Sequence, residues 1–369
     1  MLHPVSILGD PTRLTAHRRA LQCVCGVLVA ASLVRSAAAL EIVVPAYFYP
    51  GPLWTQLNAA AGQVPLTAIM NPFNGPGNSR DMNYVNAVNA LRAAGGRVIG
   101  YVYSGYGMRP LAEVTADVDR FASWYEIDGI FVDEMANIGP AERLNYYRSL
   151  YEHVKGVNPQ WEVMGNPGTT TIEQYLTWPA ADRLMVFENV GSAYAGHSPS
   201  AWNASYDRDR FVNLIHTEPS SANMLAALDL AMNRTVGAMY VTNDVMANPW
   251  DTLPSYWTAH VNRVAEINAS YDPADFNQNG AADAADLAKW SSNYGATGVF
   301  PSSGDATGDR AVAGDDFLHW QRSVSAAVVS ASASAIPEPA AAKLALLAFA
   351  ATMAAQCGTE RHPLPSQDR

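Results

Sequence analysis

Residues Ile127–Glu134 read IDGIFVDE: a glycine and a short run of branched and aromatic residues lead straight into two adjacent carboxylates, Asp133 and Glu134. An apolar run of this length and composition predicts a strand buried on both faces. Charges are tolerated at its C-terminal end, which in a parallel α/β architecture is also where ligands bind. Residues Arg183–Val190 (RLMVFENV) repeat the pattern with Glu188. Working outward, strand-like runs are predicted at Ile42–Tyr49, Leu66–Pro72, Arg97–Ser104, Asp128–Asp133, Glu162–Asn166, Leu184–Asn189, Phe211–Thr217 and Val236–Asn243. Helical patterns lie between several of them, at Asp81–Ala94, Val114–Tyr125, Pro140–Lys155 and Ser221–Asn233. Asp81 and Ser221 are N-cap types, and Pro140 suits a first helical position. This alternation predicts an α/β fold, a (β/α)8 TIM barrel over residues 40–270. The competing reading is an open doubly wound sheet, and no Gly-rich phosphate fingerprint follows the first strand to support it.

Composition narrows the partners. The chain carries a net charge of −11, with 49% hydrophobic and 15% charged residues. Residues 41–335 are more acidic than the chain as a whole, since the first forty residues carry four basic groups against one acid and the tail from Ile336 is balanced. A nucleic-acid partner needs a basic footprint and is excluded on this ground. Seventeen Tyr and nine Trp supply ring surfaces that suit sugar stacking as well as core packing. Cys23, Cys25 and Cys357 all lie outside residues 41–335, so the folded part has neither a disulfide nor a cysteine metal site. His153, His197 and His216 lack metalloprotease spacing, and there is no GxSxG elbow and no P-loop, so no cofactor is expected for catalysis.

The two ends read as addresses. In residues 1–39, Arg18 and Arg19 precede an apolar run from Ala20 to Val34, and Ala37 and Ala39 satisfy a small-x-small cleavage rule. The alternative is an N-terminal anchor or a first core helix, but the run falls short of the ~20 residues a spanning helix needs. At the other end, a small-residue linker (324–335) leads to Pro337-Glu338-Pro339, an Ala/Leu stretch and then Arg361. Residues 336–362 resemble the bacterial PEP-CTERM sorting tag. The resemblance implies export to the cell surface or beyond, transient membrane association through the hydrophobic helix, and recognition by an exosortase-type protease. The alternative is a plain C-terminal anchor.

Residues 272–323 carry a duplicated acidic spacing. Asp275, Asn277, Asn279, Asp283 and Asp286 occupy positions one, three, five, nine and twelve of a loop with Gly280 at six, the ligand spacing of an EF-hand-like calcium loop. Thirty residues on, Asp305, Thr307, Asp309 and Asp316 repeat it less well, with Arg310 where glycine is expected. Trp290 and Trp320 keep the same offset. The pair resembles a dockerin, which implies structural Ca²⁺, a small helical unit, and a cohesin-like or cell-surface partner. The alternative is a pair of Asp-rich surface turns.

Each predicted barrel strand ends in residues able to bind a sugar or move a proton. Tyr47, Asn71, Tyr103, Arg109 and Asn166 are candidate substrate-binding residues. Asp133, Glu134 and Glu188 are candidate catalytic carboxyls, because glycoside hydrolysis needs two carboxyl groups flanking the scissile bond. Neighbouring strand residues point to opposite faces, so Asp133 and Glu134 should do different jobs. The motifs VPAYFYPGPLW, NPFNGPG, VIGYVYSGYGMR, WYEIDGIFVDE, MGNPG, FEN and YVTND…NPWDTLPSYW, in this order, resemble the spherulin-4-like (spherulation-specific) family over residues 43–257. The resemblance implies a barrel glycoside hydrolase, endo-acting on α-1,4-linked galactosamine or N-acetylgalactosamine polymers, with acidic site residues at Asp133, Glu134 and Glu188. The rival reading is a non-catalytic carbohydrate-binding or surface-assembly protein on the same scaffold.

Overall fold

The computed structural model of the chain describes residues 40–277, 281–297, 299, 301–307 and 311–333. The elements run β1 (Glu41–Ala46), α1 (Pro52–Ala61), β2 (Leu66–Met70), α2 (Met82–Ala93), β3 (Arg97–Tyr103), α3 (Leu111–Trp124), β4 (Gly129–Asp133) and α4 (Ala141–Val157). They continue with β5 (Glu162–Gly165), α5 (Gln174–Thr177), β6 (Arg183–Val190), α6 (Gly191–Tyr194), β7 (Phe211–His216), α7 (Ser221–Asn233), β8 (Ala238–Val241) and α8 (Trp257–Ser270). The eight strands close in sequence order into a barrel, each parallel to its neighbours, with β8 returning to β1. This is the expected (β/α)8 TIM barrel.

Several strands are shorter at their C-terminal ends than their apolar runs predict. Beyond Ala46 the backbone leaves the ladder, and the Tyr47 amide donates instead to the carbonyl of Trp250, 3.2 Å away in the loop after β8. Helix starts follow their caps. The Asp81 carboxylate accepts from the Asn83 amide to open α2, and Ser220, rather than Ser221, caps α7 through the Asn223 amide. Pro140 lies just before α4 rather than inside it. Gly129, the glycine of the opening motif, is required by close packing: a Cβ there would run into the backbone of Glu162 on β5.

Side chains two apart on a strand share a face. The lumen is therefore filled by columns such as Glu41–Val43–Pro45–Tyr47 and Glu162–Met164–Asn166. At the bottom of these columns lies a polar layer. Glu41 accepts from Arg183 at 2.8 Å and from the Thr67 hydroxyl at 2.5 Å, while Glu162 pairs with Arg97 at 2.5 Å and Arg183 at 3.4 Å. Burial alone would raise the Glu162 carboxyl, but Arg97 and Arg183 outweigh it and hold it below the ordinary carboxylate range. Two acids and two guanidinium groups thus cancel inside the barrel floor.

β6 breaks the simple alternation. Its pairing with β7 shifts register between Met185 and Phe187, so an extra residue is accommodated there. Arg183 and Glu188 are five residues apart and would face opposite ways in a regular strand. With the irregularity both reach the lumen, Arg183 to Glu41 at the floor and Glu188 to Asn166 at the top.

The C-terminal unit contains α9 (Ala284–Asn293) and α10 (Gly314–Ala333) around a small core of Ala274, Phe276 and Ala306. The two halves are related by reciprocal contacts. The Trp290 indole donates to the carbonyl of Ala313, and the Trp320 indole to that of Asp283, its counterpart thirty residues earlier. α10 runs on through Ala333, so the stretch read as a linker begins inside this helix; it holds alanine, serine and valine with no glycine or proline to stop it. The barrel touches the unit through Asp207, which accepts hydrogen bonds from the amide and hydroxyl of Ser302. Among the described residues, no helix is long and apolar enough to cross a membrane. The sorting tag at 336–362 and the leader at 1–39 lie outside the described residues.

Candidate active site

The C-terminal ends of the strands open into a cleft of about 430 Å³. Its lining comes from the ends of β1, β2, β3, β4, β6 and β7 and from the loop after β8. Asp133 closes β4 and, two residues beyond Phe131, shares its inward face. Each oxygen of Asp133 accepts one hydrogen bond: Oδ2 from the Tyr101 hydroxyl and Oδ1 from the Asn166 amide, both at 2.8 Å. The same Asn166 nitrogen donates to Glu188 Oε2 at 2.7 Å. Because both carboxylate oxygens bond one nitrogen, they lie no more than about 5.5 Å apart.

The electrostatics differ from those of the floor. Among the described residues no lysine or arginine lines the cleft. Burial, reinforced by the Asp133 charge, pushes the Glu188 carboxyl up to about 7, although hydrogen bonds from Asn166 and the Trp250 side chain oppose the shift. The Tyr101 hydroxyl is held protonated by burial, by the Asp133 charge and by its bond to Asp133. Tyr47, edge-on to Tyr101 at 5.5 Å, is raised by burial first and then by the charge of Asp133. His216 is lowered by burial and is neutral at pH 7; its Nδ1 sits 2.9 Å from the Thr217 hydroxyl and its ring stands edge-on to Trp250. The cleft base therefore offers one carboxyl whose proton is available near neutrality, a second with both oxygens engaged as acceptors, and several neutral hydrogen-bonding groups.

Of the residues singled out from sequence, Tyr47, Asn71, Asp133 and Glu188 line the cleft, and Asn166 joins its two acids. Asn71 also braces its own loop by accepting from the Gly75 amide. Glu134 does not line the cleft; it lies one residue beyond β4 with φ +50°, and its carbonyl receives the Tyr106 amide and the Ser104 hydroxyl. Tyr103 and Arg109 also fall outside. The Arg109 guanidinium stacks 4.2 Å over the Tyr103 ring and bonds buried Asp117 at 2.7 Å, which makes it a brace for the loop before α3.

Sequence reasoning left Trp250, Phe73 and Met246 out of the site. Phe73 and Met246 stand at the cleft mouth with 76% and 67% of their surface exposed. Large apolar side chains on two proline- and asparagine-containing loops were a usable signal, since exposure is the costly choice for such residues.

In the C-terminal unit, buried Asp286 accepts from the Asn277 and Asp283 amides, and buried Asp316 accepts from the Thr307 and Ala313 amides in the matching positions. Asp275 and Asp305 are also buried, and Asp283 caps α9. Asn279 and Asp309 lie outside the described residues. Among the described residues no three His, Cys, Asp or Glu side chains are grouped closely enough to hold a metal ion.

A parallel eight-stranded barrel with a carboxylate pair at the C-terminal mouth is the class that fold and cleft define. Residues 41–264 match the spherulation-specific family 4, and the chain belongs to that family. It is 32% identical over 245 residues to Spherulin-4 of Physarum polycephalum, covering 63% of this chain and 72% of that protein. Among solved structures it is similar to Aspergillus clavatus Sph3 in complex with GalNAc, at 25% identity and a TM-score of 0.56, covering 62% of this chain and 99% of that one.

Proposed function

We propose that the protein is a glycoside hydrolase acting within an exopolysaccharide of α-1,4-linked galactosamine or N-acetylgalactosamine, with Glu188 as general acid/base and Asp133 as nucleophile. The observation that carries this is the Asp133–Glu188 pair joined through Asn166. A separation of that order fits the retaining arrangement, about 5–5.5 Å between carboxyls, better than the inverting one at about 6.5–9.5 Å. In the first step Glu188 gives its proton to the glycosidic oxygen as the bond to the anomeric carbon breaks, and Asp133 forms an ester to that carbon. In the second, Glu188 takes a proton from water, whose oxygen displaces Asp133 and releases the sugar. What supports Asp133 over Glu134 is its position in the cleft and its bonds to Tyr101 and Asn166. What supports the sugar is the family, the GalNAc in the similar Sph3 structure, and a cleft lining free of lysine and arginine among the described residues, which suits a neutral or amino sugar.

The test is release of reducing ends by the purified chain from galactosamine-containing polymers. Activity should fall as pH rises through about 7, where Glu188 loses its proton. Binding without any new reducing ends would favour the non-catalytic reading instead.

The same reading extends to the rest of the chain. Residues 1–39 export it, residues 336–362 act as a sorting tag for an exosortase-type protease, and residues 272–323 form a calcium-dependent attachment unit for a cohesin-like or surface partner. The acidic loop spacing supports the last point, since such carboxylates repel one another without a cation. A calcium titration that leaves the melting temperature of the full chain unchanged would count against it.

A further inference from the structure

We infer that Asn166 is a positioning residue, a single amide that sets the spacing of Asp133 and Glu188 by giving one hydrogen to each, rather than a substrate contact. The inference rests on the hydrolase reading for its kinetic readout alone. A primary amide has two N–H donors on one nitrogen. Here both are spent, on Asp133 Oδ1 at 2.8 Å and Glu188 Oε2 at 2.7 Å. The opposite amide orientation would aim a carbonyl at two carboxylates, so the donor assignment follows from the neighbours themselves. The carbonyl oxygen Oδ1 is left buried and without a hydrogen-bond partner among the described residues, which a group placed only for stability would not require.

The backbone holds the amide in place. The Asn166 amide donates to the Val132 carbonyl at 2.8 Å, and its carbonyl accepts from Met135 at 2.9 Å, which fastens it beside the end of β4. On the other side, the Glu188 amide donates to the carbonyl of Gly168 at 2.8 Å. Gly168 has φ +66°, a conformation glycine adopts without strain, and its Cα lies close enough to Asn166 and Glu188 that an added Cβ would sit in ordinary contact with both. The segment MGNPG thus ties the amide to one acid through β4 and to the other through Gly168.

Two consequences follow for the chemistry. Neighbouring carboxyls with nothing between them tend to share one proton and titrate as a unit. An amide hydrogen on each facing oxygen keeps them apart, so they can hold different protonation states and take different roles. An oxygen that accepts the amide hydrogen behaves as the carbonyl of a carboxylic acid, which leaves the proton of Glu188 to its other oxygen.

The experiment compares the full chain with Asn166→Asp, which keeps the shape and removes the donor, and with Asn166→Ala as a second variant should the first not fold. Carbon-13 carboxyl NMR on the free protein follows the Glu188 titration, assigned by the resonance missing in Glu188→Gln. The midpoint should move upward in either variant, because a hydrogen bond that favours the charged form is gone. In kinetics, kcat should fall about 10²-fold with KM changed less than about 3-fold, the pattern of a group acting on the reacting residues. An unmoved Glu188 midpoint overturns the inference. So does a raised KM at unchanged kcat, which would make Asn166 a sugar ligand. If the unaltered protein hydrolyses none of the polymers, the hydrolase reading fails while the NMR titration still decides the role of Asn166.

Discussion

At the scale of single residues, the barrel treats its two sets of buried acids in opposite ways. Glu162 is matched by arginines and Glu188 is not. A carboxyl whose folded pKa is raised binds its proton more tightly in the native state. The stability this contributes is therefore complete below the unfolded value near 4.3 and is lost as pH rises through about 7. Glu188→Gln removes the titration. It should abolish hydrolysis, by about 10² or more, yet melt higher than the unaltered protein at pH 8, with the difference shrinking toward pH 5. A thermal melt series across that range checks it, and equal melting temperatures at every pH would mean that the site carries no such cost. The placement of Asp133, Glu188, Asn71 and Tyr47 at the cleft, with Asn166 bonded to both acids, was legible because each sits at the end of an apolar run. That Arg109 and Tyr103 lie outside it was not, because their position depends on Asp117, a partner on the following helix that no strand pattern reveals.

At the scale of elements, all eight strands were visible as apolar runs, but the phase of β6 was not. Period-two reasoning puts Arg183 and Glu188 on opposite faces, and the shift near Phe187 depends on how β7 lies alongside. The N-terminal charges of the strands were also unread, since Glu41, Arg97, Glu162 and Arg183 look like boundary residues until the barrel closes them onto one another. α8 offers a separate test. His260 has no exposed surface and packs against Tyr240 of β8 at 5.9 Å, and burial lowers it to about 3, with only the Val241 backbone opposing. A depressed histidine contributes stability above its unfolded value near 6.5, and that stability is lost as pH falls toward about 3. His260→Phe should flatten the acid side of the stability profile in this window while leaving hydrolysis near pH 6 within about twofold. Chemical denaturation at pH 4 and pH 7 measures it; an unchanged difference between the two would exclude His260 as a source of acid sensitivity.

At the scale of the whole molecule, the barrel meets the C-terminal unit at the start of β7, the end remote from the cleft. Asp207 is buried there, and burial pushes its carboxyl up to about 6, an effect that the hydrogen bonds from Ser302 only partly offset. Arg208, beside it, lies over the Tyr271 ring. A chain ending at Ser270 removes Ser302 and Tyr271 together. It should melt lower than the full chain by several degrees, on the scale of about 2–4 °C per kcal/mol for a domain of this size, and keep its kcat on soluble polymer. A loss of kcat in a truncated chain that still shows cooperative unfolding would mean that the distant contact reaches the cleft. This contact was not legible in advance, because Asp207 and Ser302 lie in segments with no period and no motif.

The exchanged tryptophans of the C-terminal unit carry a further consequence. Each indole is anchored on the opening turn of the opposite half, so neither loop–helix half contains all of its own supports. The repeat in the sequence is therefore not a repeat of independent building blocks: the halves behave as two clasped hands, and a fragment carrying one alone loses the carbonyl that its ring requires. A mutation that loosens either half should reach the other at full strength. The thirty-residue duplication thus marks an obligate partnership within the chain, whose cooperative size is the pair.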